Sequence, residues 1–305
     1  MAKSTVKFKD TIAQFEQLKA QISKREFAPI YLLMGEESYF IDALTEALAT
    51  TILSPAEQAF NQIIVYGKDS DAGQVVNLCR QMPMMGSYEV IILKEAQQLR
   101  NIEKLSNYTQ KPQSSTILII CHKEKNLDKR SSLYKQCVAA GVVFESVRPR
   151  EYEIDAWLSG YIANKGMKID PKAMAMLKEH VGMDLGRMTR EVDKLAVSMP
   201  ANERNITDAH IEEFIGLSKE FNTFELNDAV LKQDMARAMR IADHFAHNPK
   251  SYPITLTINI LFGLFQQLFL LNYLLWMQRK RGIALPGDVD LMREIRANNL
   301  YAVKE

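Results

Sequence analysis

Apolar positions follow two regimes along this chain. Between residues 29 and 147, short continuous apolar runs alternate with segments whose apolar residues fall at helical spacing. The runs cover 29–34, 62–66, 88–94, 115–121 and 142–147, and their length and apolar continuity predict buried strands. Helices are predicted over 11–24, with Ile12, Phe15, Leu18 and Ile22 on one face, and over 37–51, 73–82, 96–108 and 131–140. Strand–helix alternation with uninterrupted apolar strands predicts an α/β domain: a parallel sheet covered on both faces, ending near Pro149.

Beyond that point strand signals stop. Helices are predicted over 152–165, 171–181, 184–198 and 207–214. Asp170-Pro171 reads as a helix start, Asp170 accepting from orphan N–H groups and the proline fitting the first turn. Thr207 is expected to cap the next helix in the same way, with Asp208 at its positive end. Residues 217–222 read as a linker. Further helices are predicted over 225–231, 235–246, 253–278 and 289–297. The expected division is therefore 1–149, 150–217 and 218–305.

The 253–278 stretch changes the picture most. No charged residue lies between Lys250 and Arg279, a length that could span a bilayer. Asn259, Gln266, Gln267 and Asn272 fall inside it, however, and intramembrane amides are costly. A buried interface or core helix is the expectation, and a membrane-associated scaffold the alternative. The N-terminal MAKSTVKFKD has no apolar run behind it, so no signal peptide is visible. Net charge is +1 over 305 residues, which gives no global basic field for nucleic acid and leaves only local basic faces. Cys79, Cys121 and Cys137 match neither zinc nor disulfide spacing, which suits a reducing cytoplasm.

Candidate chemistry is thin. After the first strand, where a phosphate loop of such a fold lies, the chain reads Gly35-Glu36-Glu37-Ser38-Tyr39-Phe40-Ile41-Asp42. A working loop needs glycine at Phe40, lysine at Ile41 and Ser/Thr at Asp42. All three fail, so neither ATP nor any other cofactor is expected; a degenerate nucleotide-dependent enzyme using Glu36, Glu37 or Asp42 is the alternative. The histidines form no H-x-x-x-H arrangement, and His244 with His247 reads as a solvated helix face, so no metal site is expected. Asp69 and Asp71 read as a surface-loop pair. No catalytic residue is assigned.

The most informative stretch is 81–94, QMPMMGSYEVIILK. Its second half is a buried strand. Its first half is a methionine-rich turn bracketed by Pro83 and Gly86, which a buried face does not require. Met84 and Met85 are thus candidates for a docking tip, or else cap the sheet edge from within.

The chain resembles the delta subunit of bacterial DNA polymerase III, the clamp-loader subunit that opens the sliding clamp. The resemblance is carried by PIYLLMGEESYFIDAL (29–44), MPMMGSYEVIILKEAQ (82–97), NLDKRSSLYK (126–135), DLGRMTREVDKLAV (184–197), FELNDAVLKQDMARAMRIADHF (224–245) and LYAVKE (300–305). It implies a three-part protein: an AAA+-like α/β domain with a degenerate P-loop, a small all-α lid, and an all-α collar joining delta-prime and the ATP-hydrolysing gamma/tau subunits. It implies no ATP site in this chain, beta-clamp binding, and action on primed DNA. Family members continue past the segment matching 300–305, so it also implies a truncated collar. A hydrophobic pair in the first domain enters the clamp, typically Leu-Phe; the matching positions here are Met84 and Met85. Flexible, polarisable methionines suit an apolar pocket but give up aromatic area. Two basic groups are candidate DNA or subunit contacts: Lys129 and Arg130 in the loop beginning at His122, and Arg187, Arg190 and Lys194 on one helix face. Both also fit solvated or internally paired charges.

Overall fold

Five all-parallel strands form the first sheet: β1 (Ile30–Gly35), β2 (Gln62–Tyr66), β3 (Glu89–Lys94), β4 (Thr116–Lys123) and β5 (Val142–Ser146), in the order β2-β3-β4-β1-β5. The computed structural model describes residues 6–84, 86–200, 203–215, 222–249 and 252–281. The chain divides into two compact units, Met1–Leu158 and Ser159–Glu305.

In the first unit β1, β3 and β4 are the inner strands, and their apolar residues are buried on both faces. Alternate residues point to opposite sides of a sheet. Ile30, Leu32, Ile91, Leu93, Leu118 and Ile120 meet Val75, Cys79, Leu105, Tyr108, Leu133 and Cys137, carried by α4 (Ala72–Cys79), α6 (Ser132–Ala140) and the segment between β3 and β4. The other face is covered by α1 (Phe8–Ser23) and α2 (Ser38–Thr51). There Phe8, Phe15, Tyr39 and Phe40 pack edge-on or tilted, with ring centroids 5.0–6.4 Å apart, and Trp157 closes the cluster. Burying one such ring contributes about 2–3 kcal/mol. The Thr11 hydroxyl donates to the Glu145 carbonyl (3.1 Å) and Gln14 to that of Val143 (2.8 Å), which pins α1 to β5.

Four local differences from the sequence reading have identifiable causes. First, α3 (Pro55–Asn61) was not foreseen; its start is a capping box, Ser54 with Glu57, plus proline in the first turn. Second, the helix expected over 96–108 is two 3₁₀ turns followed by the short α5 (Ser106–Thr109). Glu95 and Asn101 take left-handed φ of 53° and 55°, which interrupts the helix. Third, β4 runs on through His122 and Lys123, which pair with Met34 and Gly35 of β1. His122 is buried, Nδ1 meets the Lys125 carbonyl at 2.8 Å, and burial lowers its pKa, so it is not part of an exposed basic loop. Fourth, Asp71 is the N-cap of α4, accepting from Gly73 and Gln74.

α7 (Glu151–Asn164) leads from the first unit into the second. α8 (Pro171–Val181), α9 (Leu185–Ser198) and α10 (Asp208–Ile215) follow, with a two-residue parallel pair between β6 (Lys168–Ile169) and β7 (Asn205–Ile206), which the end of strand signals did not predict. Asp170 does not cap α8 with its side chain, because its Oδ1 accepts from Asn205 of β7 (3.0 Å). Thr207 stands at the start of α10, but its N–H and hydroxyl meet His210 Nδ1. A separate core of Leu226, Ala229, Ala238, Ile241 and Phe245 joins α11 (Thr223–Leu231) to α12 (Met235–His247), with Leu261 of α13 (Ile254–Arg281) against it. The helix expected over 289–297, the linker residues 217–221 and the 300–305 segment lie outside the described residues.

Candidate functional site

The C-terminal end of a parallel sheet is where such folds gather ligands. Here it is closed by the protein's own groups. Gly35 ends β1 at φ 136°, and a Cβ there would lie 2.0 Å from the Ser146 carbonyl oxygen. The next two amides are committed: Glu36 N–H donates to the Ser146 carbonyl (3.0 Å) and Glu37 N–H to the Ser146 hydroxyl (3.2 Å). Glu37 Oε1 accepts from Tyr39 N–H at the start of α2 (3.1 Å), the position where a phosphate would need donors. Phe40 and Ile41 are fully buried. Asp42 Oδ1 lies 2.7 Å from Lys123 Nζ, which also approaches Glu95 (3.6 Å). Burial lowers the Lys123 ammonium pKa, but its hydrogen bond and charge pairing with Asp42 outweigh this and the net shift is upward.

The basic residues beside this edge are paired within the chain. Lys129 Nζ meets Glu145 Oε2 at 2.7 Å, and Asn126 donates to the other oxygen (2.8 Å). Glu145 is buried on β5, and its hydrogen bond raises the Lys129 ammonium pKa. Arg130 forks onto Asp128 (2.9 Å) and holds that carboxyl down to about 2. Lys129 is thus committed to β5, while Arg130 stays exposed with its own counter-ion.

The methionine turn lies at the opposite end of the same sheet, between the C-terminus of α4 and the N-terminus of β3. Met84 is 77% exposed and Met82 73%. Met84 is therefore not a core residue; Met85 lies outside the described residues. The Met84 N–H donates to Asn61 Oδ1 (2.9 Å), the fully buried last residue of α3. Gly86 takes φ 88°, and a Cβ there would come within 2.3 Å of Glu57 Oε1. Phe60, next to Asn61, is also exposed. The sequence reading found Met84 but neither Met82 nor Asn61; the capping box of α3 was the available signal.

In the second unit, Arg187, Arg190 and Lys194 are all exposed on α9, whose opposite face buries Leu185, Met188, Val192 and Leu195. Lys194 lies 3.8 Å from Glu191. α13 is long and apolar enough to cross a membrane and is mostly unburied: Ile254, Ile258, Phe262, Phe265, Phe269, Tyr273 and Trp276 are exposed. Among the described residues only a few of its side chains, Leu264 and Leu271 among them, are buried. Cys79, Cys121 and Cys137 are buried free thiols, pushed by burial to about 12, 11 and 12. No cluster of metal-ligating side chains occurs among the described residues.

A family model for DNA polymerase III, delta subunit, matches residues 31–146. The DNA polymerase III subunit delta of Bacillus subtilis (strain 168) is 22% identical over 230 residues, a match covering 72% of this chain and 66% of that protein, just under two thirds of its length. The solved structure of the Bacillus subtilis DNA clamp loader delta protein superposes with a TM-score of 0.60 at 19% identity, covering 95% of this chain and 85% of that one, which establishes a shared fold. The matched span holds both the closed loop and the methionine turn, so the part of the chain that is similar to the DNA polymerase III delta-subunit family is the part that carries them.

Proposed function

We propose that this chain is the non-ATPase delta subunit of a cytoplasmic clamp loader, and that it docks on the beta sliding clamp through Met84 and Met85. The observation that carries this is the exposure of Met84 at a turn bracketed by Pro83 and Gly86, in the position matching the family's clamp-binding pair. Docking favours the clamp's open-interface form by differential affinity for its two states, for loading onto primed DNA. The closed loop supports a mechanical rather than catalytic role: Ser146 takes the amides a phosphate needs and Phe40 fills the space.

On this reading residues 1–149 are the clamp-binding domain, 150–217 the lid and 218–305 the collar. The apolar face of α13 meets delta-prime and gamma/tau subunits, whose covering explains a helix that is uncharged from Ile254 to Gln278 and otherwise exposed to water. Of the candidate cations, Arg187, Arg190, Lys194 and Arg130 are exposed and could meet DNA phosphates or sibling subunits, Arg130 only by exchanging Asp128 for them. The experiment is surface plasmon resonance of the chain against the sliding clamp of its own organism. Met84→Ser with Met85→Ser abolishes binding while the circular dichroism spectrum is unchanged; wild-type affinity in that variant removes the turn from the mechanism.

A further inference from the structure

We infer that α3 is a strut that positions the methionine turn, with Asn61 and Glu57 as its two contact points. The inference rests on the docking role proposed above. A turn whose side chains face water has few packing contacts to fix it, and ordering it on binding costs affinity. Here the order is supplied beforehand from beneath. Asn61 is fully buried, and its Oδ1 accepts the Met84 N–H at 2.9 Å. Met84 is therefore held by its backbone to a rigid acceptor, while its side chain stays exposed.

The second contact is steric. Glu57 Oε2 accepts from the Ser54 N–H (2.8 Å) and hydroxyl (2.7 Å), which fixes the carboxylate at the start of α3. Its other oxygen, Oε1, lies 2.3 Å from where a Cβ on Gly86 would stand, so a side chain there requires the carboxylate to move. Gly86 also has φ 88°, a conformation that L-residues with side chains rarely adopt. Capping α3 and seating the turn thus use the same carboxylate. Asn61 meets the Met84 backbone and Glu57 faces Gly86, so both act through the turn, as positioning residues.

The test uses the full chain and the sliding clamp of the same organism. Asn61→Ala and Gly86→Ala are each expected to weaken clamp binding about threefold to tenfold, the scale of one lost hydrogen bond. Amide hydrogen exchange at Met84 distinguishes positioning from a general loss of stability. Met84 N–H is protected in the wild type, and in Asn61→Ala its exchange accelerates while amides of β3 and β4 stay protected. Gly86→Ala, at an exposed position of the turn, carries the test where Asn61→Ala fails to fold. Wild-type affinity in Gly86→Ala, or an unprotected Met84 amide in the wild type, overturns the inference. If Met84→Ser with Met85→Ser still binds the clamp, it is the docking reading that has failed.

Discussion

The two ends of the parallel sheet show opposite treatments of the same kind of loop. At the C-terminal end, the turn after β1 turns its amides onto Ser146, its aromatic ring into the core and its carboxylate onto Lys123. At the N-terminal end, the turn before β3 keeps its backbone on Asn61 and leaves Met82 and Met84 in water. A loop offers chemistry to a partner only with groups the fold has not already satisfied. By that measure, the end where such folds usually bind ligands is closed here, and the opposite end is open.

Substitutions can break or sharpen this contrast. The largest effect is expected at the closed end. Phe40→Ala empties an aromatic cluster and lowers stability by about 3–5 kcal/mol in urea unfolding. Met84→Ser at the open end stays within about 0.5 kcal/mol of wild type in the same measurement, because an exposed side chain has little to lose. A loss at Met84 comparable to that at Phe40 erases the distinction. Next is Lys129→Ala, which leaves the buried Glu145 with Asn126 but without its cation; the half-exposed lysine limits the expected cost to about 1 kcal/mol.

The smallest effect is a titration. Arg130 holds Asp128 at about 2, against an ordinary value of 3.8. The folded carboxyl is the stronger acid, so its contribution to stability is complete above 3.8 and fades as pH falls toward about 2. Arg130→Ala returns Asp128 toward 3.8 in a carboxyl carbon NMR titration. An Asp128 unmoved by that change shows that the pair is not formed in solution, leaving Arg130 unpaired for a partner's phosphate.

The sheet was legible because its strands are continuously apolar, a pattern that needs no partner information; Gln62–Tyr66 runs where the apolar residues do. α8 was legible for another reason, since Pro171 marks its first turn. The stretch after β3 was misread because left-handed Glu95 and Asn101 break the helix, and helical spacing does not report a backbone angle. β6 and β7 are two residues each, too short to carry any period. At the site, the failed phosphate loop was visible as three wrong residue types, but its closure by Ser146 came from a residue more than a hundred positions away. Met84 was visible as an apolar residue between turn formers. Asn61 was not, since nothing local says that an asparagine ending a short helix will accept a hydrogen bond from position 84. The apolar run of α13 was read correctly as a helix, but sequence alone could not say that the described residues would leave most of it exposed.

The exposed sulfurs have one further consequence, in redox chemistry. Met34, Met176 and Met188 lie in the interior, where peroxide does not reach, whereas Met82 and Met84 present their thioethers to solvent. Oxygen transfer to an exposed thioether yields a polar sulfoxide. Mild oxidation therefore removes the apolar character of the turn while the interior methionines, and the unfolding transition they support, stay intact. Protein purified without a reductant can keep its unfolding transition and still carry a polar turn where the sequence encodes an apolar one.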